Sequence, residues 1–143
     1  IGKSGSDIAP EHVQNHIWGA GVGIDMTRRD VQQQAKDKRR PWDMSKGFDH
    51  SAPISALVPL ADVPSLTEGR IWLSVNGEPR QTGDISDMIW TVDEHIAALS
   101  QAVRLEAGDI IMTGTPAGVG AVVRGDVMTG GVDGIGEIQV TVA

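Results

Sequence analysis

The run Ile71-Trp72-Leu73-Ser74-Val75-Asn76-Gly77-Glu78 constrains the fold of this chain more than any other segment. Residues of strand-forming type lead into Asn-Gly, which supplies the two φ > 0 residues of a type I′ turn. Residues 78–82 then return, so a β-hairpin is expected at 71–82. The 18 glycines and seven prolines extend that expectation. They favour tight turns and short connections, hence β-structure. Three further strands are expected. Residues 18–26 alternate small and apolar side chains through Ala20, Val22 and Ile24. Ile110-Ile111-Met112 reads as a short buried strand, and 137–142 alternates Ile138, Val140 and Val142.

Two main helices fit between these strands. Thr27-Arg28-Arg29-Asp30 has the form of a capping box, with Thr27 as N-cap and a polar helix to about Lys38, ended by Pro41. Thr91-Val92-Asp93-Glu94 is a second capping box. Val92, Ile96, Leu99 and Val103 then recur at helical period, with Gly108 as a stop. Pro10 opens a short helix at 10–17, and 46–59 is expected to be irregular around Gly47, Pro53 and Pro59. The fold class is α+β with β dominant, and 143 residues is the size of one domain. Such a chain is expected to bury about two thirds of the surface it exposes unfolded.

Charge and residue types exclude several functions. The net charge of −7 argues against nucleic acid as a partner. It leaves a small anionic ligand open, because seven of the twelve basic residues lie between Arg28 and Lys46. The absence of cysteine excludes disulfides, zinc–thiolate centres and a cysteine nucleophile. No apolar run reaches the ~18 residues of a membrane span, and no signal peptide is visible, so the expected location is cytoplasmic. His12, His16, His50 and His95 lack metal-ligand spacing. The four tryptophans, Trp18, Trp42, Trp72 and Trp90, suit a core or a dimer interface better than a ligand cage.

Three features could carry chemistry. Asp25 ends the strand expected at 18–26. Arg29 and Gln32, three apart, share a helix face just beyond it. A carboxylate suits a hard cation such as magnesium, and a guanidinium suits a substrate carboxylate. Spacing alone equally fits a turn aspartate paired with arginine. Asp30 is accounted for as the cap acceptor, and Asp43 and Asp49 flank Lys46 in an expected exposed loop. Lys46 could stabilise an oxyanion, or be a solvated loop lysine. The turn Thr113-Gly114-Thr115-Pro116-Ala117-Gly118-Val119-Gly120 lacks the Gly-Lys-Ser/Thr ending of a phosphate loop. It could offer the Thr115 hydroxyl and backbone N–H groups to an anion, or simply turn the chain.

These segments together resemble one family. Gly23-Ile24-Asp25-Met26-Thr27-Arg28-Arg29-Asp30-Val31-Gln32 is similar to the central motif of the fumarylacetoacetate hydrolase family. Arg40-Pro41-Trp42, Lys46-Gly47-Phe48-Asp49, Val75-Asn76-Gly77-Glu78 with Arg80-Gln81, and 105–120 follow in the family's order. Within it, Arg40-Pro41-Trp42-Asp43 and Phe48-Asp49-His50-Ser51-Ala52-Pro53 look most like small bacterial acylpyruvate hydrolases, including those acting on fumarylpyruvate. The resemblance implies a mixed, multi-layer β-fold, a homodimer, a Mg2+ or Mn2+ ion and a small keto-acid substrate, with no nucleic acid or membrane partner. It implies Asp25 as metal ligand, Arg29 and Gln32 at the substrate, Lys46 stabilising the oxyanion and Thr115 holding the substrate carboxylate. The activity implied is hydrolysis of a C–C bond, or decarboxylation or tautomerisation of oxaloacetate-like acids. The family's Glu-x-Glu ligand pair and its lid base would precede Ile1. The chain is therefore expected to be the remainder of a longer protein, or else an incomplete product that only binds or dimerises.

Overall fold

Asn76 and Gly77 adopt φ of 54° and 83°, the left-handed pair that a type I′ hairpin needs. They join β3 (Arg70–Val75) to β4 (Glu78–Asp84) in a computed structural model that describes residues 1–143. The other elements are β1 (Gly19–Ala20), α1 (Arg29–Asp37), α2 (Asp43–Lys46), β2 (Val58–Pro59), α3 (Val92–Ala102), β5 (Val127–Val132) and β6 (Gly136–Thr141). Short 3-10 segments occupy Pro10–Asn15, Leu60–Asp62 and Ile85–Asp87. One sheet has the order β4-β3-β5-β6 and a second consists of β1 and β2, all antiparallel. Strands outnumber helices, and α1 and α3 are the two main helices, as the sequence indicates.

The sheet holds a central strand that periodicity does not reveal. β5 contains Gly130 and Gly131, which read as turn residues. Gly131 lies opposite Trp72 in the register. A Cβ there would stand 3.0 Å from the indole, and one at Gly130 would stand 3.0 Å from Leu73. The glycines make room for large side chains of β3 rather than ending a strand.

The strand expected at 18–26 is reduced to β1 and an isolated bridge between Gly23 and Ile54. Backbone bonds still tie this segment to 53–60, from Ile24 N to Pro53 O (3.0 Å) and from Ser55 N to Val22 O (2.9 Å). Pro53 and Pro59 in the partner lack N–H groups, so no continuous ladder forms. The first capping box also fails. α1 begins at Arg29 after Arg28, without a side-chain cap, and Asp30 caps nothing. Met26 N donates to Ser51 O and Arg28 N to Ser45 O, which keeps 26–28 extended and turns Thr27 inward. Its Oγ1 is buried without a partner. Lys46 is the last residue of α2 rather than part of a loop, and Asp43 is the first.

The second capping box is present in both halves: Thr91 Oγ1 accepts from Glu94 N, and the Glu94 carboxylate accepts from Thr91 N. α3 buries Ile96, Ala97 and Ser100, whereas Leu99 and Val103 are exposed. It ends at Ala102, well before Gly108, because Leu105 leaves the helix to enter the core. There Leu105 exchanges backbone bonds of 2.9 Å with Gly5. The expected strand at Ile110–Met112 is irregular, with Ile110 and Met112 exposed on a cavity wall. No strand lies alongside to take its backbone groups. The N-terminal helix is 3-10 and ends at Asn15.

Burial is thin. Only 17 of 143 residues are buried, and the apolar ones form three small clusters. One joins Ile8 and Val13 to Ile96, Ala97 and Leu105. The others lie on the sheet, around Val22, Val132 and Ile135 and around Ile24, Val75 and Met128. The large core expected from chain length is therefore not present within these residues.

Candidate active site

Alternation along an extended backbone places the first site residue. Ile24 points into the sheet cluster, so Asp25 points the other way, into a cavity of about 740 Å3. The same cavity is lined by Arg29, Gln32, Lys46 and Thr115. Residues up to 90 positions apart in sequence, drawn from an extended segment, two helices and a loop, thus face one volume.

Asp25 and Lys46 form an ion pair, Nζ to Oδ2 at 2.6 Å. Both side chains are more than a third exposed, 36% for Lys46 and 40% for Asp25. A pair so open to water adds at most about 1 kcal/mol of stability. Its consequence is positional: the ammonium sits beside one carboxylate oxygen and leaves Oδ1 without a protein partner. On α1, Arg29 Nη1 donates to Gln32 Oε1 at 3.2 Å. This bond fixes the guanidinium over one turn of the helix, and Gln32 is buried.

The α1 and α2 segments are held together by cations on aromatic faces. Arg28 lies 4.4 Å from the Phe48 ring centroid and Lys36 lies 4.9 Å from that of Trp42. Such contacts contribute about 0.5–1 kcal/mol each at exposed sites. They hold Lys46 near Arg29 and Gln32. Altogether the cavity carries the basic side chains Arg28, Arg29, Lys36, Lys46 and Arg80 against the carboxylates Asp25 and Asp30. A chain of net charge −7 therefore presents a locally cationic pocket, suited to an anion.

Two cavity residues were not marked by spacing. Arg80 and Gln81 are neighbours in β4, and a regular strand would send them to opposite faces. The register shifts at this point: Leu73 pairs with Gln81, but Ser74 pairs with Pro79. Arg80 is the extra residue of a bulge, and both residues line the cavity. Pro79 inside a strand is the sequence signal for such a bulge. Gln81 Nε2 donates to Thr115 Oγ1 at 2.7 Å and to Pro116 O at 2.6 Å.

As a metal site the arrangement is partial. No three His, Cys, Asp or Glu side chains converge. The free Asp25 Oδ1 is a hard oxygen donor aimed into the cavity, and fits one position in the shell of Mg2+ or Mn2+. The rest of the shell must come from water, ligand or groups outside these residues.

A larger cavity, about 1100 Å3, adjoins the first and shares Met112, Thr115 and Pro116 with it. Its walls are mostly apolar and include Trp18, Leu57, Ile89, Trp90, Ile110 and Met112. It holds the carboxylates Asp84, Asp87 and Asp109 but no Lys or Arg, and of the five candidate residues only Thr115.

Comparison with known proteins agrees with this architecture. The sequence profile of the fumarylacetoacetate (FAA) hydrolase C-terminal family matches residues 1–143. A fumarylpyruvate hydrolase from Ralstonia sp is 46% identical over 142 residues, which cover 99% of this chain and 73% of that protein. The mitochondrial oxaloacetate tautomerase of Rattus norvegicus is 42% identical over 135 residues, 94% of this chain and 61% of that protein. Among solved structures, the fumarylpyruvate hydrolase from Pseudomonas aeruginosa in complex with Mn2+ and pyruvate superposes with a TM-score of 0.95 at 48% identity. That match covers 100% of this chain and 61% of the other. The chain thus spans between about three fifths and three quarters of the length of these relatives. A family profile that matches from end to end, on a fold and cavity of this kind, assigns the chain to the fumarylacetoacetate hydrolase family.

Proposed function

We propose that this chain carries the substrate-binding face of a divalent-metal-dependent hydrolase that cleaves a C–C bond in a 3-acylpyruvate such as fumarylpyruvate. The observation that carries the proposal is the single cationic cavity in which Asp25, Arg29, Gln32, Lys46 and Thr115 meet. The 46% identity to a fumarylpyruvate hydrolase supports the substrate class. The Mn2+ and pyruvate held by the Pseudomonas relative support the metal and the product.

In this reading Asp25 holds Mg2+ or Mn2+ through its free oxygen. The ion held there would supply Lewis-acid chemistry to the keto acid. Arg29 offers a planar pair of donors to a substrate carboxylate. Gln32 keeps that guanidinium in place and presents its own amide N–H groups. Thr115 donates its hydroxyl proton to the carboxylate. Water adds to the distal carbonyl, and the bond from that carbon to C3 of the pyruvate unit breaks. The departing unit takes the electron pair and is protonated at C3, so one water and one acylpyruvate give pyruvate and a carboxylic acid. Negative charge develops on the pyruvate oxygen during departure, and Lys46 would stabilise it. The Asp25 contact keeps the ammonium in that position between turnovers.

A second reading is favoured by the 42% identity to the oxaloacetate tautomerase. Tautomerisation or decarboxylation of an oxaloacetate-like acid would use the same cavity, since each passes charge onto a keto oxygen. Product analysis separates the readings. The intact protein with Mg2+ or Mn2+ is expected to convert fumarylpyruvate to fumarate and pyruvate in equal amounts, and to stop when EDTA is added. Turnover that persists in chelator overturns metal dependence. Release of carbon dioxide, or rearrangement without fragmentation, favours the second reading. The proposal includes a homodimer and a cytoplasmic location. No helix is long and apolar enough to cross a membrane.

A further inference from the structure

The loop 113–120 has no regular secondary structure, yet it is fixed against β4 at three points. The Pro116 side chain lies over Gly83, where an added Cβ would stand 3.2 Å from the ring. Gly118, at φ 100°, lies so close to the Arg80 carbonyl that any Cβ would collide with it. Between them, Gln81 donates to Thr115 and to Pro116. Gln81 is 9% exposed and sits beside the bulge.

The chemistry of this contact is directional. Pro116 O can only accept, so the Gln81 atom 2.6 Å from it must be the amide nitrogen. The same nitrogen lies 2.7 Å from Thr115 Oγ1 and spends its second proton there. Thr115 Oγ1 is therefore an acceptor in this bond, and its own proton is left to donate elsewhere. Thr115 is exposed on the cavity wall, and no group of the chain takes that proton. A hydroxyl whose oxygen is engaged by a fixed donor is a directed donor, prepared for an anion.

We infer that Gln81 is a positioning residue: it fixes the rotamer of Thr115 and aims the hydroxyl proton at the substrate carboxylate. The inference rests on the reading of Thr115 as a carboxylate contact. It goes beyond that reading in naming the residue that makes Thr115 a donor, and the bulge at Arg80 as the device that brings Gln81 to it.

Pyruvate binding to the intact protein, at saturating Mn2+, tests this by calorimetry across three variants. Thr115→Val is expected to weaken pyruvate about tenfold, the loss of one hydrogen bond to a charged group. Gln81→Glu replaces the donor with an acceptor that draws the Thr115 proton away from the ligand. It should weaken binding at least as much at neutral pH. As pH falls, binding by Gln81→Glu should recover relative to the parent, because a protonated carboxyl can donate again. Gln81→Met, which buries no charge, guards against a fold defect. It should bind several-fold more weakly than the parent with unchanged circular dichroism, and show no recovery in acid. Combined with Thr115→Val, either Gln81 variant should add little. Full effects of both sites in the double variant, or no acid recovery in Gln81→Glu, would overturn the positioning role while leaving Thr115 as a contact. If Thr115→Val binds pyruvate like the parent, the reading of Thr115 itself fails, and the role of Gln81 with it.

Discussion

Lys46 is held at the cavity by a single exposed ion pair with Asp25, so its removal should separate chemistry from stability. Lys46→Ala is expected to lower kcat by about 10²–10³, the scale of losing one group that stabilises developing negative charge. Stability should change by no more than about 1 kcal/mol. Parallel measurement of kcat and of urea unfolding checks both. A large loss of stability with kcat preserved would make Lys46 a structural residue. Gly118 makes the opposite case. Gly118→Ala needs a strained φ and collides with the Arg80 carbonyl, so a destabilisation of about 1–3 kcal/mol is expected. Displacement of the loop should weaken pyruvate binding with it. Unchanged unfolding and binding would show that the loop relaxes freely.

At the scale of elements, α3 offers the sharpest tests. Its capping box satisfies backbone donors at the N-terminus, so Thr91→Ala should lower stability by about 1 kcal/mol, read from the urea midpoint. The Thr91 backbone N–H, and then the Thr91 hydroxyl, hold the Glu94 carboxyl below its ordinary pKa. A depressed pKa contributes stability that is complete above the unfolded value, about 4.3, and is lost as pH falls through the folded value. The stability difference between the parent and Glu94→Gln should therefore be present at pH 7 and shrink in acid below about pH 4. A difference that does not vary with pH would show that the carboxylate charge is not what the cap uses. The two capping boxes in the sequence look alike, but only Thr91 caps. The first lies where backbone bonds to Ser45 and Ser51 keep the chain extended, and tertiary pairing overrides the local signal. β5 was hidden for a related reason: Gly130 and Gly131 show their purpose only once Trp72 and Leu73 lie against them.

The whole molecule leaves much apolar surface uncovered. Trp18, Leu57, Trp90, Ile110 and Met112 are exposed around one cavity, and Ile89 is 95% exposed. Apolar side chains gathered on one face in this way often mark an interaction surface. A second copy, as in the proposed homodimer, would cover this face. Ile89→Glu should then shift the mass of the intact protein in sedimentation from dimer towards monomer. An unchanged dimer would remove Ile89 from the interface, and a monomeric parent would remove the dimer.

The sequence by itself determined the features set by neighbouring residues. These are the Asn76-Gly77 hairpin, the Thr91–Glu94 cap, the last strand, the strand-dominated class and the chain positions of Asp25, Arg29, Gln32, Lys46 and Thr115. The turn and the cap are local matters, decided within a few residues, whereas the five positions stood out through the family resemblance. Only the tertiary structure decided that those five positions share one cavity, and that a bulge at Arg80 brings Gln81 to Thr115. These depend on long-range approach, on pairing register and on which surfaces find cover, and local periodicity carries no record of them.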